Sequence, residues 1–516
     1  MPVRTGKHIE PVGLRELFCR AHQIHDLALP LAAAIAGLQR ILVAILARLT
    51  GLDQPGTSVQ EWNQRRTDLL NTRGGLDPAG IDAYFDRYTW DAFDVERPWM
   101  QDASLADHCR VPSGINALIM GRPSGDSLCW FEPDTDTDPA PAPTDQALWH
   151  LLINHYYGNP GRLTPRTAGG TASGQGSAGP LRGTLSFHPL GRTLLETLAL
   201  GLPPLTDDEN TAADACPWEE PAPPEPLAPL PPVTWPGRLL TGRSRHAVLL
   251  VPGPDGTTVT DAYLTWATQQ PRLEATDPYL AYRTDPKAPV ETRRVPRMAE
   301  TGRSVWRDLD ALLLAGEENS ASPRPTAFTT LNDLPAGVRD ALRVRVIGFD
   351  QDVVLVKNRL WYSALTPPIW NWAQEHDPDT ARRIRDCCTT AEQLGHLLGK
   401  VAGRAWKEIT SPPAATARPH KPGAKNPAWS ARARAAYWPQ AEATFWRLIH
   451  DTPDTPVRPA FAADAVRALR TVSTASLPQH ARAGEVLAAA IATLLRDPTT
   501  PAPPGDPTRP PYDDSC

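Results

Sequence analysis

The chain has 516 residues, with 52 Lys and Arg against 58 Asp and Glu, and a formal net charge of −6 at pH 7. This length predicts two or three domains. The negative charge excludes a polycation that coats nucleic acid, so any such contact must be local or shared with other subunits.

The N-terminal region is predicted to be largely helical over residues 12–50, with further helices at 59–72 and 79–88. Residues 31–49 are the most apolar stretch, but charged residues such as Arg40 interrupt it. A bilayer interior strongly disfavours such residues, so we expect a buried helix and no membrane partner. The seven cysteines are dispersed without a CxxC pair, which predicts reduced thiols and a cytoplasmic location.

Residues 167–183 form a glycine-dense segment that includes Gly174, Gly176, Gly179 and Gly183. Glycine has no Cβ, so its backbone can approach a ligand closely, but ordering it costs more chain entropy than for any other residue. The segment is therefore either a flexible linker or a contact surface. We expect it to be disordered without a bound partner.

Two β-hairpins are predicted after the proline-rich linker at residues 221–232. The first covers residues 247–266, where an apolar run, a Pro-Gly-rich turn and an alternating run follow one another. The second covers residues 342–362, with its turn at Gly348–Asp352. The first two-thirds of the chain is therefore predicted to be mixed α and β.

Beyond residue 368 the pattern becomes wholly helical. Four amphipathic helices with proline-marked joints fit a four-helix bundle. The expected fold is thus α+β, with a mixed α/β domain over 1–367, the bundle over 368–498 and a proline-rich disordered tail over 499–516.

No catalytic motif is present in the sequence: it contains no Walker motif, no GxSxG and no HExxH. His22 and His25 have metal-like spacing without further ligands nearby, which favours surface or packing histidines. The acidic residues 132–138 lack the glycine and terminal Glu of a calcium loop. We therefore predict a protein that is not an enzyme and that needs no metal or cofactor.

A basic island in this acidic protein includes Arg404, Lys407 and Arg432, with Trp406 and Trp429 interleaved. A solvated helix face and a phosphate-contacting surface are about equally compatible with this pattern.

Six short motifs occur in chain order: Leu14-Arg-Glu-Leu-Phe-Cys-Arg-Ala-His22, Glu96-Arg-Pro-Trp-Met-Gln101, Gly179-Pro-Leu-Arg-Gly183, Leu239-Leu-Thr241 with Ser244-Arg245, Ser304-Val-Trp-Arg-Asp-Leu309, and Gly348-Phe349 with Trp361-Tyr362. Together they resemble the CasA family, the large subunit of the type I-E CRISPR Cascade complex. The resemblance covers most of the chain.

The resemblance implies a non-catalytic subunit of a crRNA-guided complex that recognises the short motif beside a target, the PAM, in double-stranded DNA. It would start unwinding and help recruit the helicase-nuclease. Its partners would be other Cascade proteins, crRNA, target duplex and that helicase-nuclease.

The resemblance also implies DNA-contacting residues. Asn116 and Ile119 would lie in a first DNA-contacting loop. The glycine-rich segment would approach the minor groove. Gln351, flanked by Asp350 and Asp352, would be pushed into the duplex from a hairpin tip, and Asp352 and Lys357 would contact the DNA beside it. Independently of the resemblance, the basic island adds Arg404, Lys407 and Arg432 to the predicted DNA-binding residues, as phosphate contacts. The alternative is a scaffold subunit that binds RNA or protein without reading DNA.

Overall fold

The computed structural model describes the chain except residues 73, 125–134, 136, 206–212, 274, 286–288, 290–293, 301, 315–323, 332–333, 353–356, 411–427, 453, 480 and 497–516. The predicted tail at 499–516 lies outside the described residues. The chain divides into two compact units: Met1–Val305 with Ala311–Asp377, and Trp306–Asp310 with Pro378–Cys516. Helices and strands are mixed in the first unit and the second is helical, which confirms the predicted fold class.

The N-terminal part of the first unit combines a small sheet with six helices. The sheet has the order β2-β1-β3. The strands are β1 (Pro2–Thr5), β2 (His8–Pro11) and β3 (Asp26–Leu27), and the helices are α1 (Leu14–Cys19), α2 (Ala32–Thr50), α3 (Val59–Asn71), α4 (Pro78–Arg87), α5 (Leu105–His108) and α6 (Ile115–Leu118). Helices α1 and α2 make up most of the range 12–50 that was predicted to be largely helical, but residues 20–31 between them contain β3 and turns.

Helix α2 is long and apolar enough to span a membrane by length and composition, but most of it is buried inside the fold. Its Arg40 is 1% exposed and pairs with Asp277 at 3.0 Å. The guanidinium also lies 4.8 Å from the ring centroid of Tyr279. The charge is thus matched inside the protein, as a core helix requires.

The middle of the first unit contains two antiparallel hairpins. Its elements are β4 (Ala142–Pro143), α7 (Thr144–Tyr157), β5 (Gly161–Ala168), β6 (Thr171–Gly176), β7 (Leu185–Leu190), α8 (Leu194–Gly201), α9 (Gly237–Thr241), β8 (His246–Pro252) and β9 (Thr258–Trp266). Strands β8 and β9 confirm the first predicted hairpin, and β4 extends their sheet in the order β4-β9-β8.

The glycine-dense segment is folded, which contradicts the predicted disorder. Strands β5 and β6 pair from Gly161↔Gly176 to Ala168↔Thr171. Gly169 and Gly170 form the two-residue turn with φ values of +56° and +78°, a conformation that glycine adopts without steric cost. The Trp266 indole fixes the hairpin by donating to the Ser173 carbonyl at 2.7 Å.

The second predicted hairpin exists, but its turn does not lie at Gly348–Asp352. The remaining elements of the first unit are β10 (Tyr282–Thr284), β11 (Arg294–Pro296), α10 (Asp310–Leu313, which begins in the second unit), α11 (Ala336–Arg339), β12 (Arg343–Asp352) and β13 (Lys357–Leu365). Strand β12 runs through the predicted turn and lies between β13 and β7.

The second unit contains α12 (Pro378–Thr410), α13 (Ala428–His450), α14 (Val457–Ser473) and α15 (Ala483–Leu495). Trp306 enters their core, where its ring lies 4.8 Å from that of Phe445. Arg307 pairs with Glu392 at 2.7 Å and stacks over Trp438 at 3.4 Å. The short segment 306–310 is thus an integral part of the helical unit.

Candidate nucleic-acid interface

The C-terminal half of α7 holds several of the predicted site segments together. His150, Asn154 and Tyr157 recur at i, i+4 and i+7, which places them on one side of the helix. His150 and Asn154 through their side chains, and Tyr157 through its backbone carbonyl, each make a hydrogen bond to a different part of the chain. Their spacing therefore brings segments that are distant in sequence to one end of the unit.

The first segment, residues 118–122, is fixed by two of these side chains. The Asn154 side-chain amide donates to the Leu118 carbonyl at 3.1 Å. The Met120 N–H donates to His150 Nδ1 at 3.2 Å. The predicted contact residues Asn116 and Ile119 are only 2% and 4% exposed. Asn116 on α6 and Ile119 directly after it are therefore not on the surface in this structure, and DNA contact by these two residues stays a prediction.

Burial and, to a smaller extent, the nearby Arg122 charge lower the pKa of His150 to about 4. The neutral imidazole leaves Nδ1 free to accept the Met120 N–H. The hydrogen bond that anchors this segment therefore requires the unprotonated histidine.

The second segment, Gly179–Gly183, packs against the end of α7. The Gly179 N–H donates to the Gly158 carbonyl at 3.0 Å, and the Leu181 N–H donates to the Tyr156 carbonyl at 2.8 Å. A Cβ on Gly179 would lie 2.7 Å from Tyr156 O, and Gly183 has a φ of +70°. Both glycines are buried, so they serve packing instead of facing a ligand.

Gln351 connects this segment to the third one. It accepts from the Gly183 N–H at 2.9 Å and donates to the Tyr157 carbonyl at 3.0 Å. It also donates to Asn358 Oδ1 at 2.8 Å. The side chain is 4% exposed, so the predicted position at an exposed hairpin tip is wrong.

A register shift between Asp350 and Gln351 accompanies this inward orientation, because a β-bulge re-aims the side chains of its strand. Asp352 and Lys357 are cross-strand partners. Their side chains lie outside what the structure describes, as does the turn at 353–356. DNA contacts by Asp352 and Lys357 remain predictions.

The other predicted glycines lie on β6. Gly174 is half-buried and Gly176 is buried. A Cβ on Gly174 would lie 2.7 Å from the Leu163 carbonyl oxygen, so close packing of β5 explains this glycine. The exposed glycines of the segment are Gly169 and Gly170 at the turn. The Gly-Gly pair between two alternating runs was the signal that would have located them.

A polar surface lies at the point where these segments meet. We define the α7-end surface by four residues: Gly121, Arg122, Asn358 and Arg359. Asn358 and Arg359 are exposed, and the Asn358 Nδ2 atom lies 3.8 Å from the Met120 sulfur. Sequence reasoning missed Asn358 and Arg359, because the turn was predicted within what is strand β12, too early in the chain to bring them to the site.

The predicted basic residues of the helical unit form a second surface. Arg404 and Lys407 on α12 and Arg432 on α13 are exposed; we define these three as the bundle basic face. The Trp406 and Trp429 rings pack at 5.3 Å between the two helices. The predicted cations thus lie on adjacent helices of one unit.

Within the described part of the chain, no group of three or more His, Cys, Asp or Glu residues could hold a metal ion. His22 and His25 therefore gain no further ligand there. Most of the acidic cluster at 132–138 lies outside the described residues.

Comparison with known proteins gives consistent matches. The family model for the CRISPR-associated protein Cse1 matches residues 1–475. The CRISPR-associated protein CasA/Cse1 of Thermus thermophilus is 29% identical over 425 residues, which cover 79% of this chain and 77% of that protein.

Two solved structures have a similar fold over nearly the whole chain. A chain of a CRISPR RNA-guided surveillance complex is 37% identical with a TM-score of 0.84, covering 96% of this chain and 97% of that one. Thermus thermophilus CasA (Cse1) has a TM-score of 0.71 at 23% identity, with coverages of 96% and 97%. The second match bears on fold alone.

Proposed function

This chain belongs to the CRISPR-associated protein Cse1 family, the large subunit of type I-E Cascade, and from that premise we propose that it recognises the PAM in target double-stranded DNA. It does so as a member of a crRNA-guided surveillance complex, together with crRNA and other Cascade subunits. Recognition starts the unwinding of the target.

One observation carries this proposal: three separate segments meet at the end of α7 and expose polar and cationic groups there. His150, Asn154 and Gln351 fix the segments through hydrogen bonds that are buried or partly buried. Such fixed geometry suits a reader of duplex DNA, because sequence is read only when donors and acceptors have a defined position. Arg122 and Arg359, the latter within 3.5 Å of Asp350, are the cations that can contact the phosphates.

Gln351 has a positioning role in this proposal. To enter the duplex, its amide would have to leave partners at Gly183, Tyr157 and Asn358. Opening a base step costs about 1.4 kcal/mol of stacking on average. We propose that exposed groups of the α7-end surface offset this cost, while Gln351 holds the strand that carries them.

The test uses the reconstituted Cascade complex with the variants Arg359→Ala and Asn358→Ala. We expect each to weaken binding of PAM-bearing duplex by about 5–10-fold, a loss of about 1–1.4 kcal/mol. Binding of the same target as a single strand should stay within about twofold of wild type, because no duplex has to be opened. Arg65→Ala, at a half-buried position of α3 away from these segments, is the matched control. Equal losses for duplex and single strand would refute duplex reading at this surface.

We also propose that the bundle basic face contacts nucleic-acid phosphates and that the subunit helps recruit the helicase-nuclease. The competing scaffold function would bind RNA or protein through this face without reading DNA. It predicts that removing the three cations changes complex assembly but not the preference for PAM-bearing duplex. Measuring both complex assembly and the preference for PAM-bearing duplex on the variant that lacks the three cations distinguishes the two functions.

No bond of the DNA has to be made or broken for this role, so we propose a non-enzymatic subunit. Binding free energy alone can drive local opening of the duplex. Detectable cleavage of duplex or single-stranded DNA by the purified chain, with or without divalent metal, would contradict the proposal.

A further inference from the structure

The first unit contains a cavity of about 560 Å³, which is separate in its lining from the α7-end surface. Its wall includes prolines of the 221–232 linker and the side chains of Trp99, Arg245 and Leu273. This volume lies in the range of small-molecule sites, which combine apolar walls with a few polar groups.

Arg245 is the unusual member of this lining. It is 6% exposed, and its Nη2 atom donates to the Gln270 carbonyl at 2.5 Å. Its Nε and Nη1 atoms are buried and have no hydrogen-bond partner. No ion pair to a described residue compensates the charge, and burial lowers the pKa of the guanidinium.

The other charges in the lining are mostly paired. Arg166 contacts Asp102 at 2.8 Å, and Arg238 pairs with Glu220. Glu96 and Glu225 also line the cavity, but both are exposed. Among the lining arginines with described contacts, Arg245 therefore stands out as a buried cation whose donors face no anion.

A second residue with an unsatisfied donor lines the same cavity. The Trp99 indole Nε1 is buried and has no acceptor. Buried Trp N–H groups usually have a hydrogen-bond partner. Three buried donor atoms without acceptors, on two residues of one cavity, indicate a ligand that brings acceptor oxygens and fits beside apolar side chains.

We propose that this cavity binds a small organic oxyanion, a phosphate ester or carboxylate, whose charged oxygens meet Arg245 and whose apolar body lies against the proline-lined wall. The Trp99 N–H supplies a further donor to the ligand. This site is independent of the proposed duplex recognition, which uses residues outside the cavity lining.

Calorimetric titration of the full chain tests the proposal with three probes. Phenyl phosphate has both the anionic group and an apolar ring. Inorganic phosphate has only the anionic group, and benzyl alcohol has only the apolar ring. We expect saturable binding of phenyl phosphate, at least about tenfold tighter than either fragment. Benzoate in place of phenyl phosphate distinguishes a carboxylate site from a phosphate site.

Variants identify the groups that bind. Arg245→Gln should weaken phenyl phosphate binding at least about tenfold, and Trp99→Phe about two- to fivefold, because it removes a single neutral donor. Arg382→Gln, at an exposed position of α12, makes the same charge change and should leave binding unaltered.

Two results would overturn the site. One is the absence of saturable phenyl phosphate binding by the wild-type chain up to about 10 mM, beyond which an affinity is too weak for a specific site. The other is unchanged binding by a folded Arg245→Gln variant. If that variant does not fold, competition on the wild-type chain decides: inorganic phosphate must displace phenyl phosphate, and failure to do so refutes an anion site.

Discussion

The side-chain carbonyl of Gln351 accepts a hydrogen bond from the backbone N–H of Gly183 at 2.9 Å, joining two segments that are 168 residues apart in sequence. The same amide donates to the Tyr157 carbonyl. Gln351 thereby links β12, the glycine segment and the end of α7. Its first role is to hold the site together, and any effect on DNA follows from that.

Replacing Gln351 by Ala should therefore reduce stability. It leaves the Gly183 N–H and the Tyr157 carbonyl unsatisfied in a buried place, which costs about 1–3 kcal/mol for such a group. Urea denaturation of the purified chain measures this loss. Gln175→Ala, at an exposed position on β6, should stay within about 0.5 kcal/mol of wild type. A Gln351→Ala chain as stable as wild type, with impaired duplex binding, would instead support direct insertion.

Three glycine substitutions should differ in sign and size. Gly179→Ala places a Cβ 2.7 Å from Tyr156 O and 2.8 Å from Gly158 N, both backbone atoms, so we expect a loss above about 2 kcal/mol. Gly170→Ala meets open space but has a φ of +78°, which costs about 1–2 kcal/mol.

Gly484→Ala is the control for this series, since it lies in α15 with no atom within 4 Å of the new Cβ. Ala should stabilise there by about 0.5–1 kcal/mol. Thermal unfolding of the three variants checks the order. Equal tolerance of Gly179→Ala and Gly170→Ala would contradict the packing role of Gly179.

The sequence predicted the architecture well because periodicity reports burial directly. The alternation in 247–266 became β8 and β9, and the apolar faces after 368 became α12–α15. It failed for residues 20–31 and for the turn of the second hairpin. A strand as short as β3, with two residues, leaves no periodic pattern, and a β-bulge such as that at Gln351 breaks the alternation.

The site was predicted in its parts but not in its orientation. The segments around Ile119, Gly183 and Gln351 do meet at α7. The side chains that face outward are set by the hydrogen bonds that His150 accepts and Asn154 donates, and no local sequence pattern predicts these bonds. The exposure of Asn358 and Arg359 depends on the residue at which β13 begins. That residue is set by the position of the hairpin turn, which also fixes the register of the two strands.

The stability of the chain should fall between pH 6.5 and pH 4 because of His150. Its pKa is lowered from 6.5 to about 4 in the folded protein, so the unfolded state binds the proton first as the pH falls. The contribution of neutral His150 to the free energy of unfolding is complete above pH 6.5. It decreases below that pH and levels off below about pH 4. Lowering the pH from about 7.5 to about 5 should reduce the free energy of unfolding by about 2 kcal/mol through this group alone.

Urea denaturation at those two pH values, for wild type and His150→Gln, measures the contribution. A glutamine oxygen can still accept from Met120, but it does not titrate, so the variant should lose less stability on acidification. His396→Gln, at an exposed position on α12, should retain the wild-type pH dependence. Identical pH dependence of all three chains would show that His150 titrates normally.

The bundle basic face should contribute to DNA binding in a salt-dependent manner. The triple variant Arg404→Ala, Lys407→Ala and Arg432→Ala removes three exposed cations. If each neutralises one phosphate, the slope of log K against log salt should become less negative by about 0.9 per lost contact on duplex DNA. Reconstituted Cascade titrated with duplex at several salt concentrations gives this slope.

The control changes Arg382, Arg385 and Arg470, which are exposed residues of α12 and α14, to Ala. It alters net charge equally, so a slope change of the same size in both triple variants would show that overall charge acts, and not this face.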